Sequence, residues 1–129
     1  MYERDTIAAI ASPPGSGAIA LLRLSGPKAF AVTWAVAPGL PLEAADRRAY
    51  FSALVDAEGQ IDEGLVTTFH GPRSFTGEDV VEFSVHGSSY VQQRLLEALL
   101  AAGARTAQPG EFTQRAFLNR KMDLSQAEA

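Results

Sequence analysis

Two charged side chains stand out because each lies among apolar residues of a predicted strand. Arg23 lies in the leucine-rich run 18–24, and Glu82 lies between Val81 and Phe83. In the second strand Val81, Phe83 and Val85 alternate with Glu82, Ser84 and His86, so the two sets face opposite sides. Charged groups are rarely buried unless a partner meets them. A structural ion pair or a bound anion would explain Arg23, and solvent exposure or a donor partner would explain Glu82. A carboxylate can also accept two parallel hydrogen bonds from an amidine-like edge, such as that of a pterin or guanine ring.

Two other features contain groups that could do chemistry. His86 closes the same predicted strand and precedes a glycine. Its imidazole could exchange a proton near neutral pH, although a local hydrogen bond that completes the strand is the commoner arrangement. The segment 115–123 holds several charged and hydrogen-bonding residues: Arg115, Asn119, Arg120, Lys121 and Asp123. A solvated helix end explains them, since the helix dipole favours cations there; an anion site for a glutamate tail or a phosphate is the alternative.

Three short patterns resemble nucleotide-binding motifs without completing one. The run 13–17 is glycine-rich, but a phosphate-binding loop needs a lysine and then a helix, whereas here no lysine follows and the next segment is a predicted strand. Residues 56–59 fit DxxG, and residues 119–123 resemble NKxD with one residue inserted. We interpret both as chance matches, so this chain alone is expected to have no GTPase activity.

The composition is typical of one soluble globular domain. The chain has 129 residues, of which 47% are hydrophobic and 20% charged, enough for a single core. Its net charge of −4 argues against a free-standing nucleic-acid binder. The lack of cysteine excludes disulfides, thiolate zinc sites and cysteine nucleophiles. No apolar run approaches the roughly 20 residues that cross a bilayer, so we expect a cytoplasmic protein without a membrane span.

A small set of strands and helices must position these residues. Hydrophobic periodicity and turn residues predict strands at 6–11, 18–24, 49–55, 65–69 and 78–86, with a short strand at 104–107. Helices are predicted after Ser25, which can cap the first, and at 90–102 and 109–118. The pattern therefore predicts a sheet of about five strands with about three helices.

The last residues of the chain, 123–129, begin a further predicted helix. This helix reaches neither a full amphipathic period nor a stop signal, and so short a helix is not stable alone in water. A frayed natural terminus would explain the pattern. We favour a boundary within a longer protein, because the helix-forming residues then continue into the next domain.

Three long runs of the sequence resemble one known family. They are DTIAAIASPPGSGAIALLRLSG, GPRSFTGEDVVEFSVHG and PGEFTQRAFLNRKMDLSQAEA. Together they resemble the amino-terminal domain of the tRNA-modification GTPase family called MnmE or TrmE, from Asp5 to Ala129. The resemblance implies an α+β fold with a mixed or antiparallel sheet, similar to the folate-binding module of aminomethyltransferases. It also implies that residues 1–118 form a tetrahydrofolate-binding and dimerisation domain and that residues 119–129 start a helical domain.

The resemblance further implies a function that the residue pattern alone does not. Proteins of this family modify carbon 5 of the wobble uridine of tRNA with a flavin-dependent partner protein. We expect a tetrahydrofolate derivative, in its 5-formyl or 5,10-methylene form, to supply a one-carbon unit. The expected assembly is a homodimer joined through this domain. GTP, magnesium and potassium are expected only in a GTPase domain outside this chain.

The folate contacts of the family correspond to Arg23, Glu82 and Lys121 of this sequence. They match the arginine of LLRLSG, the second glutamate of FTGEDVVE and the lysine of FLNRKMD. A carboxylate suits the donor edge of a pterin, and cations suit the oxygen-rich parts of the ligand. No catalytic residue and no metal ligand is expected within this chain. The alternatives are a stand-alone folate-dependent enzyme similar to aminomethyltransferases and a dimerisation module without a ligand.

Overall fold

The structure is a computed structural model that describes residues 5–41 and 43–119. Its strands are β1 (Ile7–Ile10), β2 (Ile19–Ser25), β3 (Ala49–Asp56), β4 (Gly59–Phe69), β5 (Val80–His86) and β6 (Arg105–Thr106). Its helices are α1 (Ala29–Val36), α2 (Ser89–Ala101) and α3 (Glu111–Leu118). The strands form one sheet in the order β3-β4-β5-β2-β1-β6, with β1 and β6 parallel and the other neighbours antiparallel. The predicted α+β class with a mixed sheet and three helices is confirmed.

One face of the sheet carries the hydrophobic core. Leu22 and Leu24 of β2 lie opposite Phe83 and Val81 of β5, and all four are fully buried. Helices α1 and α2 cover this face, where Leu95 of α2 joins the same cluster. Each side chain of this kind contributes about 1.5–3 kcal/mol when fully buried. The predicted alternation in β5, apolar inward and polar outward, is thus confirmed.

The opposite face of the sheet is covered at one end and open at the other. Ser25, the last residue of β2, is fully buried, and its hydroxyl donates to Glu78 at 2.7 Å. Towards the other end Ile19 is 70% exposed, Phe51 69% and Leu65 44%. Phe51 and Leu65 are cross-strand partners on β3 and β4, and Ile19 lies on β2, beyond β5. We call this exposed part of the sheet the open sheet face.

Helix α2 begins immediately after a close contact between two backbone segments. A Cβ atom at Gly87 would lie 2.2 Å from the carbonyl oxygen of Gly17, so only glycine fits there without a shift. Ser88 then caps the helix by accepting a hydrogen bond from the amide of Val91 at 3.1 Å. This contact fixes where β5 ends and where the helix starts to cross the core face.

Two sequence predictions about the ends of elements are wrong. Ser25 does not cap α1, because it belongs to β2; the helix begins at Ala29 without a side-chain cap. Strand β4 begins at Gly59 rather than at residue 65, because the turn after β3 leads directly into antiparallel pairing of Asp56 with Gly59. The hairpin that the sequence predicts is present, with a longer second strand.

Candidate functional site

Arg23 and Glu82 meet on the outer face of the sheet. They are cross-strand partners in β2 and β5, so the antiparallel register alone brings the two side chains together. The Nε and Nη2 atoms of Arg23 donate to the same oxygen of Glu82, Oε2, at 3.0 and 2.9 Å. The side chains are 23% and 26% exposed. The structural ion pair considered for Arg23 is therefore present, and Glu82 has the donor partner that a half-covered carboxylate requires.

This ion pair uses only part of its hydrogen-bonding capacity. Both donors of Arg23 converge on Oε2, and within residues 5–41 and 43–119 the second oxygen of Glu82, Oε1, accepts no hydrogen bond. The Nη1 atom of Arg23 likewise donates none to that part of the chain. A carboxylate has about four lone-pair sites and a guanidinium five N–H donors. The pair can therefore bind one further polar group without being broken.

A cavity of about 430 Å³ adjoins Arg23. Its lining includes Ile10, Arg23, Phe75, Pro109, Phe112 and Thr113, whereas Glu82 is not among the lining residues. The guanidinium carbon of Arg23 lies 5.3 Å from the ring centroid of Phe75 and 5.7 Å from that of Phe112. The walls thus combine apolar and aromatic residues with the polar side chains of Gln108 and Thr113, and Arg23, paired with Glu82, supplies a cation. Small-molecule sites commonly combine these features.

Helix α3 supplies one wall of this cavity and is held by a buried arginine. The side chain of Arg115 is 1% exposed. It donates to the carbonyl oxygen of Asp5 at 2.6 Å and to the carboxylates of Asp5 at 2.8 Å, Glu78 at 3.1 Å and Glu111 at 3.3 Å. The solvated helix end expected for this residue is therefore wrong. Arg115 faces the protein interior because its partners lie there: Asp5 before β1, Glu78 in the loop before β5, and Glu111 of α3 itself.

A second arginine completes this network from the protein surface. Arg105 of β6 pairs with Asp5 and with Glu111. The Arg105 guanidinium holds the pKa of both carboxyls below its ordinary value. Glu111 also accepts from the amide of Gln108 at 2.8 Å, which fixes the turn before α3. We call Asp5, Glu78, Arg105, Glu111 and Arg115 the ionic network.

The other aromatic wall, Phe75, lies in the loop 70–79 between two buried residues. Ser74 donates from its hydroxyl to the carbonyl oxygen of Glu78. The hydroxyl of Thr76, fully buried, lies 2.7 Å from that of Ser25. The Asn119 side chain donates to the Thr76 carbonyl at 2.9 Å. Because both neighbours of Phe75 are anchored inward, its ring points outward, where it is 43% exposed.

His86 makes the local hydrogen bond that completes a strand. Its Nδ1 lies 2.8 Å from Oδ1 of Asp62, and its amide donates to Oδ2 of the same carboxylate at 2.9 Å. Although burial raises the pKa of Asp62, the hydrogen bonds from His86 outweigh it and leave that pKa below its ordinary value. The ring of His86 is 76% exposed. The predicted structural role of this histidine is confirmed.

The described residues form neither a metal-binding cluster nor a membrane-spanning helix. They contain no group of three or more histidine, aspartate or glutamate residues that could hold a metal ion. None of the helices within 5–41 and 43–119 is long and apolar enough to cross a membrane. The glycine-rich run 13–17 leads into β2 rather than a helix, as predicted, so it does not form a phosphate-binding loop.

Comparison with known families adds what geometry alone does not provide. Residues 6–121 match the family described as "GTP-binding protein TrmE N-terminus". The chain belongs to this family. The TrmE resemblance of the three sequence runs is therefore confirmed. The matched range includes Arg23, Glu82 and Lys121; the first two are brought together by the fold, and Lys121 lies outside the described residues.

Several relatives of this TrmE domain bear the name "tRNA modification GTPase MnmE". The protein from Myxococcus xanthus is 55% identical over 126 residues, which cover 96% of this chain and 28% of the relative. The protein from Cytophaga hutchinsonii is 54% identical over 126 residues, covering 97% and 27%. That from Chlamydia pneumoniae is 50% identical over 129 residues, covering 100% and 29%. The chain thus spans less than a third of the length of these relatives and corresponds to their amino-terminal domain.

Sequence reasoning missed the aromatic walls and the ionic network. Phe75 lies in a loop and Phe112 in the first turn of α3, and neither position stands out by periodicity. The pairing of Arg115 with Asp5 joins residues 110 positions apart, which no local pattern reveals. One usable signal existed: Glu111 and Arg115 carry opposite charges four positions apart, a spacing that places them on the same face of a helix.

Proposed function

We propose that this chain is the folate-binding, dimer-forming amino-terminal domain of a GTPase that modifies carbon 5 of the wobble uridine of tRNA. A tetrahydrofolate derivative, 5-formyl or 5,10-methylene, would supply the one-carbon unit. The observation that carries the proposal is the Arg23–Glu82 pair, which retains free hydrogen-bonding capacity and adjoins an aromatic cavity. In this proposal residues 1–118 form the binding domain, and residues 119–129 start a helical domain.

The chemistry of a folate suits the groups around this cavity. The pterin of a tetrahydrofolate has a flat pyrimidinone half with an amidine-like donor edge and a carbonyl oxygen. The rest of the folate is a tail that ends in carboxylates. Oε1 of Glu82 can accept from the donor edge, and Nη1 of Arg23 can donate to an oxygen. The volume of about 430 Å³ falls within the roughly 300–1,000 Å³ of small-molecule sites. Lys121 is proposed as a further cation for the ligand.

The open sheet face supports self-association. Phe51 and Leu65 expose apolar side chains as cross-strand partners on β3 and β4, and Ile19 exposes another on β2, beyond β5. Exposed apolar surface of this kind marks interaction sites. A second copy of the domain is the occupant we propose. A flavin-dependent partner protein and tRNA would join the full-length cytoplasmic protein. GTP, magnesium and potassium would bind the GTPase domain of that longer protein, where hydrolysis takes place.

Isothermal titration of the chain with 5-formyltetrahydrofolate tests the folate proposal. We expect saturable binding, and Glu82→Gln should weaken it by about 10- to 100-fold, because a hydrogen bond to a charged group contributes about 1.5–3 kcal/mol. Glutamine keeps the shape of the side chain and removes the charge that the donor edge requires. Arg23→Gln should weaken binding as well.

The matched control is Asp56→Asn. Asp56 pairs with Arg94, and their side chains are 20% and 18% exposed, which is similar to the exposure of Glu82 and Arg23. Both residues border a separate cavity beside Tyr90. The affinity of the Asp56→Asn variant for the folate should equal that of the unmodified chain. Equal affinity of the Glu82→Gln variant would refute the assignment of Glu82. No saturable binding by the unmodified chain would instead favour the dimerisation module without a ligand, and one-carbon transfer by the chain alone would favour the aminomethyltransferase alternative.

A further inference from the structure

The rings of Phe75 and Phe112 flank the same guanidinium. They belong to separate elements, the loop 70–79 and helix α3, yet both lie within 6 Å of the guanidinium carbon of Arg23, at 5.3 and 5.7 Å. All three side chains line the cavity of about 430 Å³. Cation–π attraction between an arginine and each ring holds the guanidinium in one orientation. The rings therefore act on the position of Arg23 as well as on the shape of the cavity.

The exposure of Phe75 is not explained by packing. Large aromatic side chains are usually mostly buried, but Phe75 is 43% exposed while its neighbours Ser74 and Thr76 are 8% and 0% exposed. Those neighbours hydrogen-bond to Glu78 and Ser25, so the backbone cannot readily rotate the ring inward. An apolar ring held outward beside a cavity is arranged to contact something that enters it.

The second ring, Phe112, is fixed through the helix that carries it. Helix α3 is joined to the rest of the domain by the ionic network, in which Arg115 contacts Glu78 of the loop 70–79. The same arginine therefore ties together the two elements that carry the rings. Both aromatic walls are held in place before any ligand arrives, which lowers the ordering cost of binding.

We propose that Phe75 and Phe112 form an aromatic clamp that stacks the flat pyrimidinone half of the ligand's bicyclic ring and orients Arg23 towards it. The proposal rests on the folate function above and deepens it, because it assigns the ring system, rather than the carboxylate tail, to this cavity. Aromatic faces prefer offset stacking or edge contact with another flat ring. The glutamate end of the tail carries no ring and gains nothing from the clamp.

Titrations with two ligands test the clamp. We expect Phe75→Leu and Phe112→Leu each to weaken the binding of 5-formyltetrahydrofolate by about threefold to tenfold, the size of an aromatic pair contribution. Phe75→Tyr keeps a ring and should restore the affinity. The tail fragment p-aminobenzoylglutamate keeps a benzene ring but lacks the pyrimidinone ring, so its affinity should fall less in the leucine variants than the affinity of 5-formyltetrahydrofolate.

The control is Tyr90→Leu, which removes an exposed ring beside another arginine, Arg94, at 6.0 Å. It should leave folate affinity unchanged. Thermal unfolding of each variant separates lost binding from lost folding. If Phe112→Leu fails to fold, the comparison of Phe75→Leu with Phe75→Tyr still tests the clamp. If Glu82→Gln weakens folate binding but both leucine variants bind normally, the clamp is wrong and the folate function stands. If the unmodified chain binds no folate, both proposals fail.

Discussion

Replacement of Arg115 by methionine tests the structural basis of the site. The substitution keeps most of the aliphatic volume and removes a guanidinium whose side chain is 1% exposed. The carboxylates of Glu78 and Glu111, 10% and 7% exposed, then lose a shared cation. Breaking a buried ion pair by removing one partner costs about 3–5 kcal/mol. Since domains of this size are stable by only about 5–15 kcal/mol, the loss is a large fraction of the total.

Urea unfolding followed by circular dichroism measures this loss. With an m value of about 2 kcal/mol/M, the midpoint should fall by about 2 M. Adding Glu78→Gln to Arg115→Met should recover part of the loss, because it neutralises a carboxylate that has lost the Arg115 cation. The control Arg94→Met removes a guanidinium that is 18% exposed and pairs with the carboxylate of Asp56, which is 20% exposed. Because water and salt reach this pair, its loss should shift the midpoint less than the loss of Arg115. Equal shifts for Arg115→Met and Arg94→Met would refute the argument that the ionic network holds α3.

Two further predictions concern acid stability and self-association. Arg105 lowers the folded-state pKa of Asp5 and Glu111 beneath the ordinary 3.8 and 4.5, so their stabilisation should be complete above pH 4.5 and be lost as pH falls through and below that value. Arg105→Met should flatten this part of the curve of unfolding free energy against pH, and an unchanged slope would contradict the assignment. Phe51→Asp should weaken a dimer by at least about tenfold in analytical ultracentrifugation, because burial of such a ring contributes about 1.5–3 kcal/mol, whereas Tyr90→Asp should not; equal behaviour of the two would exclude the open sheet face.

Much of the fold could be predicted because its elements have local signals. The alternation in β5 placed Phe83 inward and Glu82 outward, and both positions are confirmed. In β2, Arg23 alternates with the buried Leu22 and Leu24 and so lies on the outer face of its strand. Neither pattern reveals that the two strands are neighbours in register, which depends on how the whole sheet assembles. Their meeting was therefore implied by the family resemblance and observed only in the structure.

The misses have a common physical cause, which is that long-range contacts overrule local preference. Ser25 has the chemistry of a helix cap, yet its hydroxyl is used by Glu78, 53 positions away. Arg115 lies on a short polar helix that a local pattern would leave in water, yet it finds carboxylates from the start of the chain and from the loop 70–79. In both cases the partner that decides the outcome is absent from any local window.

A crystal structure of this chain with 5-formyltetrahydrofolate would show which cavity holds the ligand. We expect density for the bicyclic ring in the cavity lined by Arg23, Phe75 and Phe112, with the donor edge of the ring at the carboxylate of Glu82. Ordered ligand in a different cavity, such as the one beside Asp56 and Tyr90, would contradict this expectation. So would a ligand whose carboxylate tail, rather than its ring, contacts Phe75 and Phe112.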